Sequence, residues 1–488
     1  MPTIKQKPDD LYVLIRSMNG NEKRYFKVLY GNTTDINNKG FVMLFDIISK
    51  QDMFDQQKLI NEIKDKGLTT NLNKTKQYLF NAVIKSLFFY YVENDLDLRL
   101  RMDFLEIQIL NKKNLSELLK KRVKILEKKA VKHQKHLLLN DIYFLLKSNL
   151  SNLGLKSFDD FDINTLKQKT SNTLNVLSAE NQYRDLILDA KRVLENAKNQ
   201  PAASTKKQFQ KILSSDLLKD NNRPDSYQAI LLYYTVKCFL LMHLGNRREA
   251  LIVINNYLAY VKKHLSKSTQ NNMHYLIGLG NKVGLLVELK EYKEIENILK
   301  VIKNINCENE YYELLKFKVY YINSFQFFLL TKQPEKILKL YPEISAQINQ
   351  QKNLLSLDII GYFEFAYAKT AFELGHIDRA VKSLQNLINN YNCTIIPQLY
   401  ISVKIQLILC MYLLENYSVI EYLSQALILF LRKRKLTNSF EFQFLKLLKK
   451  LPLSDYKINQ LKLLINDSFK ENPANYYQYS NPAILYRK

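Results

Sequence analysis

Gly278, Gly280 and Gly284 invite the first chemical reading, because closely spaced glycines let a backbone wrap a phosphate. Their spacing is G-x-G-x-x-x-G, which is not the dinucleotide fingerprint, and no strand pattern leads into them. They fall within a helical pattern, where small residues let a neighbouring helix approach. His133 and His136 stand three apart among lysines, without the Glu of the H-E-x-x-H arrangement that zinc hydrolases use. Cys238, Cys307, Cys393 and Cys410 are far apart and form no C-x-x-C pair, so neither a disulfide framework nor a zinc finger follows. Asp159 and Asp160 lie between phenylalanines with no His near them in sequence, and read as capping or solvated groups. A Walker A loop, a nucleophile elbow and the kinase motifs are all missing. The expectation is a protein with no catalytic residues, no cofactor and no metal.

What remains is electrostatic. Lys and Arg number 72 against 47 Asp and Glu, a net charge of +25, and such a balance commonly signals a polyanionic partner. Lys121, Lys124, Lys128, Lys132 and Lys135 fall opposite an apolar stripe of Leu119, Val123, Leu126 and Ala130. A second basic run is Arg432, Lys433, Arg434 and Lys435, with Lys446, Lys449 and Lys450 beyond it. These are the candidate contacts for RNA or a ribosome surface. The chain is also rich in Lys, Asn, Ile and Tyr and has no Trp. An AT-rich coding sequence yields the same composition, so much of the charge needs no function.

The elements that must carry these residues are helices. Only 11 Gly and 10 Pro occur in 488 residues, too few for the turns of an all-β or Rossmann-like chain. Apolar residues make up 47%, enough to exclude disorder. No stretch reaches the roughly 20 apolar residues of a membrane span, and the richest, Ile405 to Leu414, reads as a buried helix. The first residues carry Asp9 and Asp10 where a signal peptide would be apolar. A cytoplasmic protein is expected.

Leu11, Leu14, Ile15 and Met18 make one helical stripe, ended at Asn19-Gly20. Asn19 then caps a second helix, with Glu22 reaching back as a capping box. Short helices around 41–51 and 56–66 lead to a longer one, 72–91, whose apolar arc reads as buried on most sides. Residues 1–95 thus form a helical head. Residues 96–200 read as irregular helical hairpins, and 199–205, with Pro and small hydroxylated residues, as a linker.

From 206 to 450 helix, tight turn and helix recur. In HLGNRREALIVI, ELKEYKEIENIL, LTKQPEKILKL, ELGHIDRAVKSL and LLENYSVIEYL, each turn is followed by an apolar residue: Ala250, Ile295, Ile337, Ala380 and Ile420. Steps of about 40 to 45 residues mean stacked hairpins, none of which buries its apolar face alone. Residues 451–488 read as a capping helix and tail.

The stretch AYAKTAFELGHIDRAVKSL resembles a tetratricopeptide repeat, with Ala368, Gly375, Ala380 and Leu384 on that family's packing positions. The whole chain is also similar to a family of uncharacterised bacterial tetratricopeptide-like proteins. That likeness runs through Leu14-Ile-Arg-Ser17, Glu22-Lys-Arg-Tyr-Phe-Lys27, Leu44-Phe-Asp46, Thr75-Lys76, Tyr78-Leu79, Lys85-Ser-Leu87 and FLRKRKL. The resemblance implies an all-α, right-handed α-solenoid of stacked hairpins and no particular activity. It also implies that the first helix of each hairpin lines a concave groove, carried over here to Phe239, Met242, Val287, Leu329, Phe365, Phe372, Leu409 and Tyr412. An apolar groove suits a partner helix or extended peptide. The expected function is therefore a scaffold for a protein or peptide. RNA or ribosome binding through the basic faces is the second reading, and DNA binding through the head the third.

Overall fold

In a computed structural model of the chain, residues 9–31, 36–51, 55–65, 72–153, 162–196, 202–265, 269–307, 310–351, 354–391, 393–448, 454–468 and 479–486 are described. Among the described residues are 22 α-helices, a few 3-10 turns and no strand. They form two compact units, Met1–Asn246 and Arg247–Lys488.

The first unit opens with α1 (Asp10–Ser17), α2 (Gly20–Gly31), α3 (Ile36–Lys50), α4 (Gln56–Asp65) and α5 (Leu72–Asn94). Asp9 caps α1 by accepting the Leu11 N–H, and Leu11, Ile15 and Met18 are buried. The capping box forms as expected. The Glu22 N–H donates to Asn19 Oδ1 and the Asn19 N–H to Glu22 Oε2, both at 2.8 Å, so two donors that a helix start would leave orphaned are satisfied. Phe26 stacks on Phe45 with ring centroids 4.3 Å apart, inside a core shared with Leu44, Leu59 and Leu79.

Helix α5 departs from the expected burial. Its buried residues are Leu79, Ala82, Val83 and Ser86, a narrow stripe that is all α1, α2 and α3 cover. Tyr78, Phe80, Ile84, Phe88 and Tyr91 are exposed.

Beyond it come α6 (Leu96–Lys112), α7 (Ser116–Lys132), α8 (His136–Leu153), α9 (Ile163–Asn196), α10 (Ala202–Leu213) and α11 (Tyr227–Leu244). From α6 to α9 each helix packs on the next, and α9 also meets α10 and α11. The Leu119, Val123, Leu126 and Ala130 stripe is buried against Leu100, Ile107, Leu139 and Ile142. Of the expected linker, 199–201 lie outside the described residues, and 202–205 open α10. Asp159 and Asp160 also lie outside them.

The second unit runs through α12 (Arg247–Lys263), α13 (Thr269–Glu288), α14 (Ile295–Lys303), α15 (Glu310–Leu330), α16 (Pro334–Gln350) and α17 (Leu357–Glu373). It continues with α18 (Ile377–Asn390), α19 (Pro397–Leu413), α20 (Tyr417–Lys433), α21 (Phe440–Leu447) and α22 (Asp455–Ser468), and closes on a 3-10 turn, Pro482–Tyr486. Successive helices from α12 to α22 pack together, and α13 also touches α15, α15 touches α17 and α17 touches α19. Ala250, Ile295, Ile337, Ala380 and Ile420 are all fully buried, so the period in the sequence is a period of the core. Two glycines of α13, Gly278 and Gly280, are spacers. A Cβ on Gly278 would stand 2.8 Å from the Tyr257 and Leu258 side chains, and one on Gly280 2.8 Å from Val319, so bare backbone lets α12 and α15 close in.

One kind of turn recurs at the helix ends. Five residues before each of the five buried residues the chain is left-handed: Gly245 (φ 87°), Lys290 (61°), Lys332 (55°), Gly375 (80°) and Glu415 (57°). There the N–H of Gly245 donates to Met242 O and that of Asn246 to Leu241 O, and the same pair of bonds is made at 290/291, 332/333, 375/376 and 415/416. This is the Schellman closure, which satisfies the last helical carbonyls. It recurs at Asn114 and Gln134 in the first unit and at Lys435 in the second.

Candidate peptide-binding site

The structure does not bring the eight expected groove residues together on an open surface. Val287, Phe365, Phe372 and Leu409 are buried, with Phe365 and Leu409 at 0% exposure. Phe365, Phe372 and Leu409 belong to one core with Ala368, Ala380, Leu384 and Leu427. The open apolar strip is corrected accordingly. These four side chains lie on faces of α13, α17 and α19 that neighbouring helices cover. Leu329 is exposed. Phe239 and Met242 are half-buried on α11 in the other unit, and the Phe239 ring lies 6.4 Å from Phe209 and 4.4 Å from His243.

Tyr412 has a different role. Half-buried near the end of α19, it donates its hydroxyl to the main-chain oxygen of Leu485 at 2.8 Å. Leu485 belongs to the C-terminal segment 479–486, which lies against this unit. The Ser480 N–H donates to Gln406 Oε1 at 2.8 Å, and the Ser480 hydroxyl to Glu373 at 3.4 Å. The Tyr479 hydroxyl donates to Glu441 at 3.1 Å, and burial first, then the Glu441 carboxylate, raises its pKa. Tyr479, Ser480, Ala483 and Leu485 are buried. The seat is formed by Glu373 of α17, Gln406 and Tyr412 of α19 and Glu441 of α21, with α22 packed on the 3-10 turn. Sequence reading found Tyr412 and missed the other three. The available signal was Pro482-Ala-Ile-Leu485, an apolar cluster in an otherwise Asn- and Tyr-rich tail.

The basic faces divide. On α7, Lys121, Lys124, Lys128 and Lys132 are exposed. Lys135 is not part of that face: it follows the turn after α7, is half-buried, and pairs with Asp97 at 2.5 Å. At the end of α20, Arg432, Lys433, Arg434 and Lys435 are exposed, where cations complement the helix dipole. Arg434 lies over the Phe430 ring at 4.7 Å and donates to Thr394 O at 3.3 Å. Arg432 lies 5.9 Å over the Phe442 ring. Lys449 and Lys450 lie outside the described residues.

For bond-making chemistry the described residues offer little. Burial pushes the Cys410 thiol up to about 12 and that of Cys238 to about 11, the reverse of an activated nucleophile. Burial also lowers His133 and His136. No group of three or more His, Cys, Asp or Glu among the described residues is placed to hold a metal. Glu364, a buried carboxylate on α17, accepts from the Ser383 hydroxyl and from Tyr341, which makes it part of a satisfied structural network. Among the described residues no helix is long and apolar enough to cross a membrane. No protein-family model matches this chain, and no curated protein matches it.

Proposed function

We propose that this chain is a non-enzymatic scaffold of tetratricopeptide-like hairpins in a right-handed array, and that its second unit binds a protein or peptide partner. One observation carries the reading: the surface of α17, α19 and α21 already holds a peptide, the chain's own residues 479–486, through side chains that address its main chain. The contacts of α13 with α15, α15 with α17 and α17 with α19 support the stacked-hairpin arrangement. Three buried cysteines and a fourth half-buried one, none of them in a disulfide, support a cytoplasmic location.

The test is binding of fluorescent peptides to the full chain, followed over a salt series. Affinity that changes little between low and high salt supports the reading. Loss of all peptide binding, with retention of RNA, overturns it. RNA or ribosome binding is the second reading, favoured by the exposed Lys121, Lys124, Lys128 and Lys132 on one helix. DNA binding through the head ranks third, because the outward side of α5 presents Phe80, Ile84 and Phe88 where base edges require polar groups.

A further inference from the structure

We propose that residues 479–486 are a displaceable internal ligand, covering a site for a peptide of another protein that carries an aromatic residue followed by a polar stretch and an aliphatic cluster in a 3-10 turn. The inference rests on the peptide-binding reading above and adds to it a gate and a ligand chemistry.

Two observations point to an occupant other than the tail. The first is how the tail is held. Gln406 and Tyr412 bond to the Ser480 N–H and the Leu485 carbonyl, groups that every peptide possesses, so the seat does not depend on this one sequence. Specificity falls to the buried Tyr479, Ala483 and Leu485 side chains, which define the aromatic and aliphatic positions of a competitor.

The second is what the tail leaves undone. Gln406 is completely buried, and while its Oε1 accepts from Ser480, its Nε2 has no partner. One turn earlier on α19 the fully buried Ser402 hydroxyl is also without one. A carboxamide can pair with both the N–H and the carbonyl of a peptide. The tail supplies only the N–H, and a buried donor left without an acceptor weakens its seat. A peptide whose carbonyl reaches Nε2 satisfies the same side chain fully, and so competes with a tail that has the advantage of its tether.

A seated tail lowers the fraction of open sites and raises the apparent Kd for any competing peptide in proportion. The test measures binding of a labelled peptide with the sequence of residues 479–486 to the full chain and to two tail variants. Ser480→Pro removes the N–H that Gln406 accepts, and Leu485→Asp places a charge in an apolar seat. Both variants are expected to keep the parent's helical circular dichroism and to bind the peptide at least about tenfold more tightly. Equal affinity for parent and variants overturns the gate and leaves the peptide-binding reading standing. Binding to none of the three overturns both. Loss of helical signal in both variants also overturns the gate, since the tail would then be part of the fold.

Discussion

Gly375 and Ala380 stand five residues apart at the head of α18, the first left-handed at φ 80° and the second without solvent exposure. The turn residue fixes the direction in which the second helix leaves, and the buried residue is the first it delivers to the core. Lys332 and Ile337, and Glu415 and Ile420, repeat the relationship. A Cβ on Gly375 would meet nothing within 4 Å, so Gly375→Ala tests the backbone alone. It should destabilise the protein by about 1 kcal/mol, read as a lowered urea midpoint with an unchanged slope. The reverse change, Lys332→Gly, should be neutral or slightly stabilising.

Phe365→Ala is expected to cost about 3–5 kcal/mol, because the ring is fully buried in the core of α17, α19 and α20. Leu329→Ala, at an exposed position on α15, should change stability by less than about 0.5 kcal/mol. Chemical denaturation of the two variants side by side checks the contrast. A Phe365 variant as stable as the parent would restore the open groove.

Reversing Lys121, Lys124 and Lys128 to Glu changes one exposed face of α7 and leaves the buried Leu119, Val123 and Leu126 untouched. The helical content should be unchanged and peptide capture retained. If the face binds RNA instead, the salt dependence of RNA affinity should become shallower, by about 0.7 in log–log slope for each phosphate contact removed.

His274 on α13 has its pKa lowered from 6.5 by burial. The fold favours the neutral ring, so this group's contribution to stability is present above pH 6.5 and is lost as pH falls through the lowered value. The melting temperature should therefore drop on going from pH 7.5 toward pH 5. His274→Leu should flatten that drop, and a pH profile identical to the parent's would remove His274 from the account.

Local signals were legible and distant ones were not. The Asn19–Glu22 capping box and the Leu119 to Ala130 stripe both join residues three or four apart, the range over which a helix repeats. The buried series from Ala250 to Ile420 was legible because stacking repeats a demand at fixed intervals. The exposed side of α5 was misread, since aromatic residues at helical spacing look the same whether or not a neighbour covers them. The seat of the tail was beyond reach for another reason. Gln406 and Ser480 are 74 residues apart and Glu373 and Ser480 are 107 apart, and neither pair belongs to any period. The groove residues failed because burial is set by the helices that cover a face, which the resemblance does not supply: Phe365 lies in one core with Leu409 and Leu427.

The left-handed turn described at eight positions is occupied by Gly, Lys, Glu, Asn and Gln alike. A junction that tolerates so many side chains places almost no demand on the residues copied into it. A gene segment encoding one hairpin can therefore be duplicated or lost, and the new join will close as the old ones do. An array built of such joins is free to change length in steps of a whole hairpin.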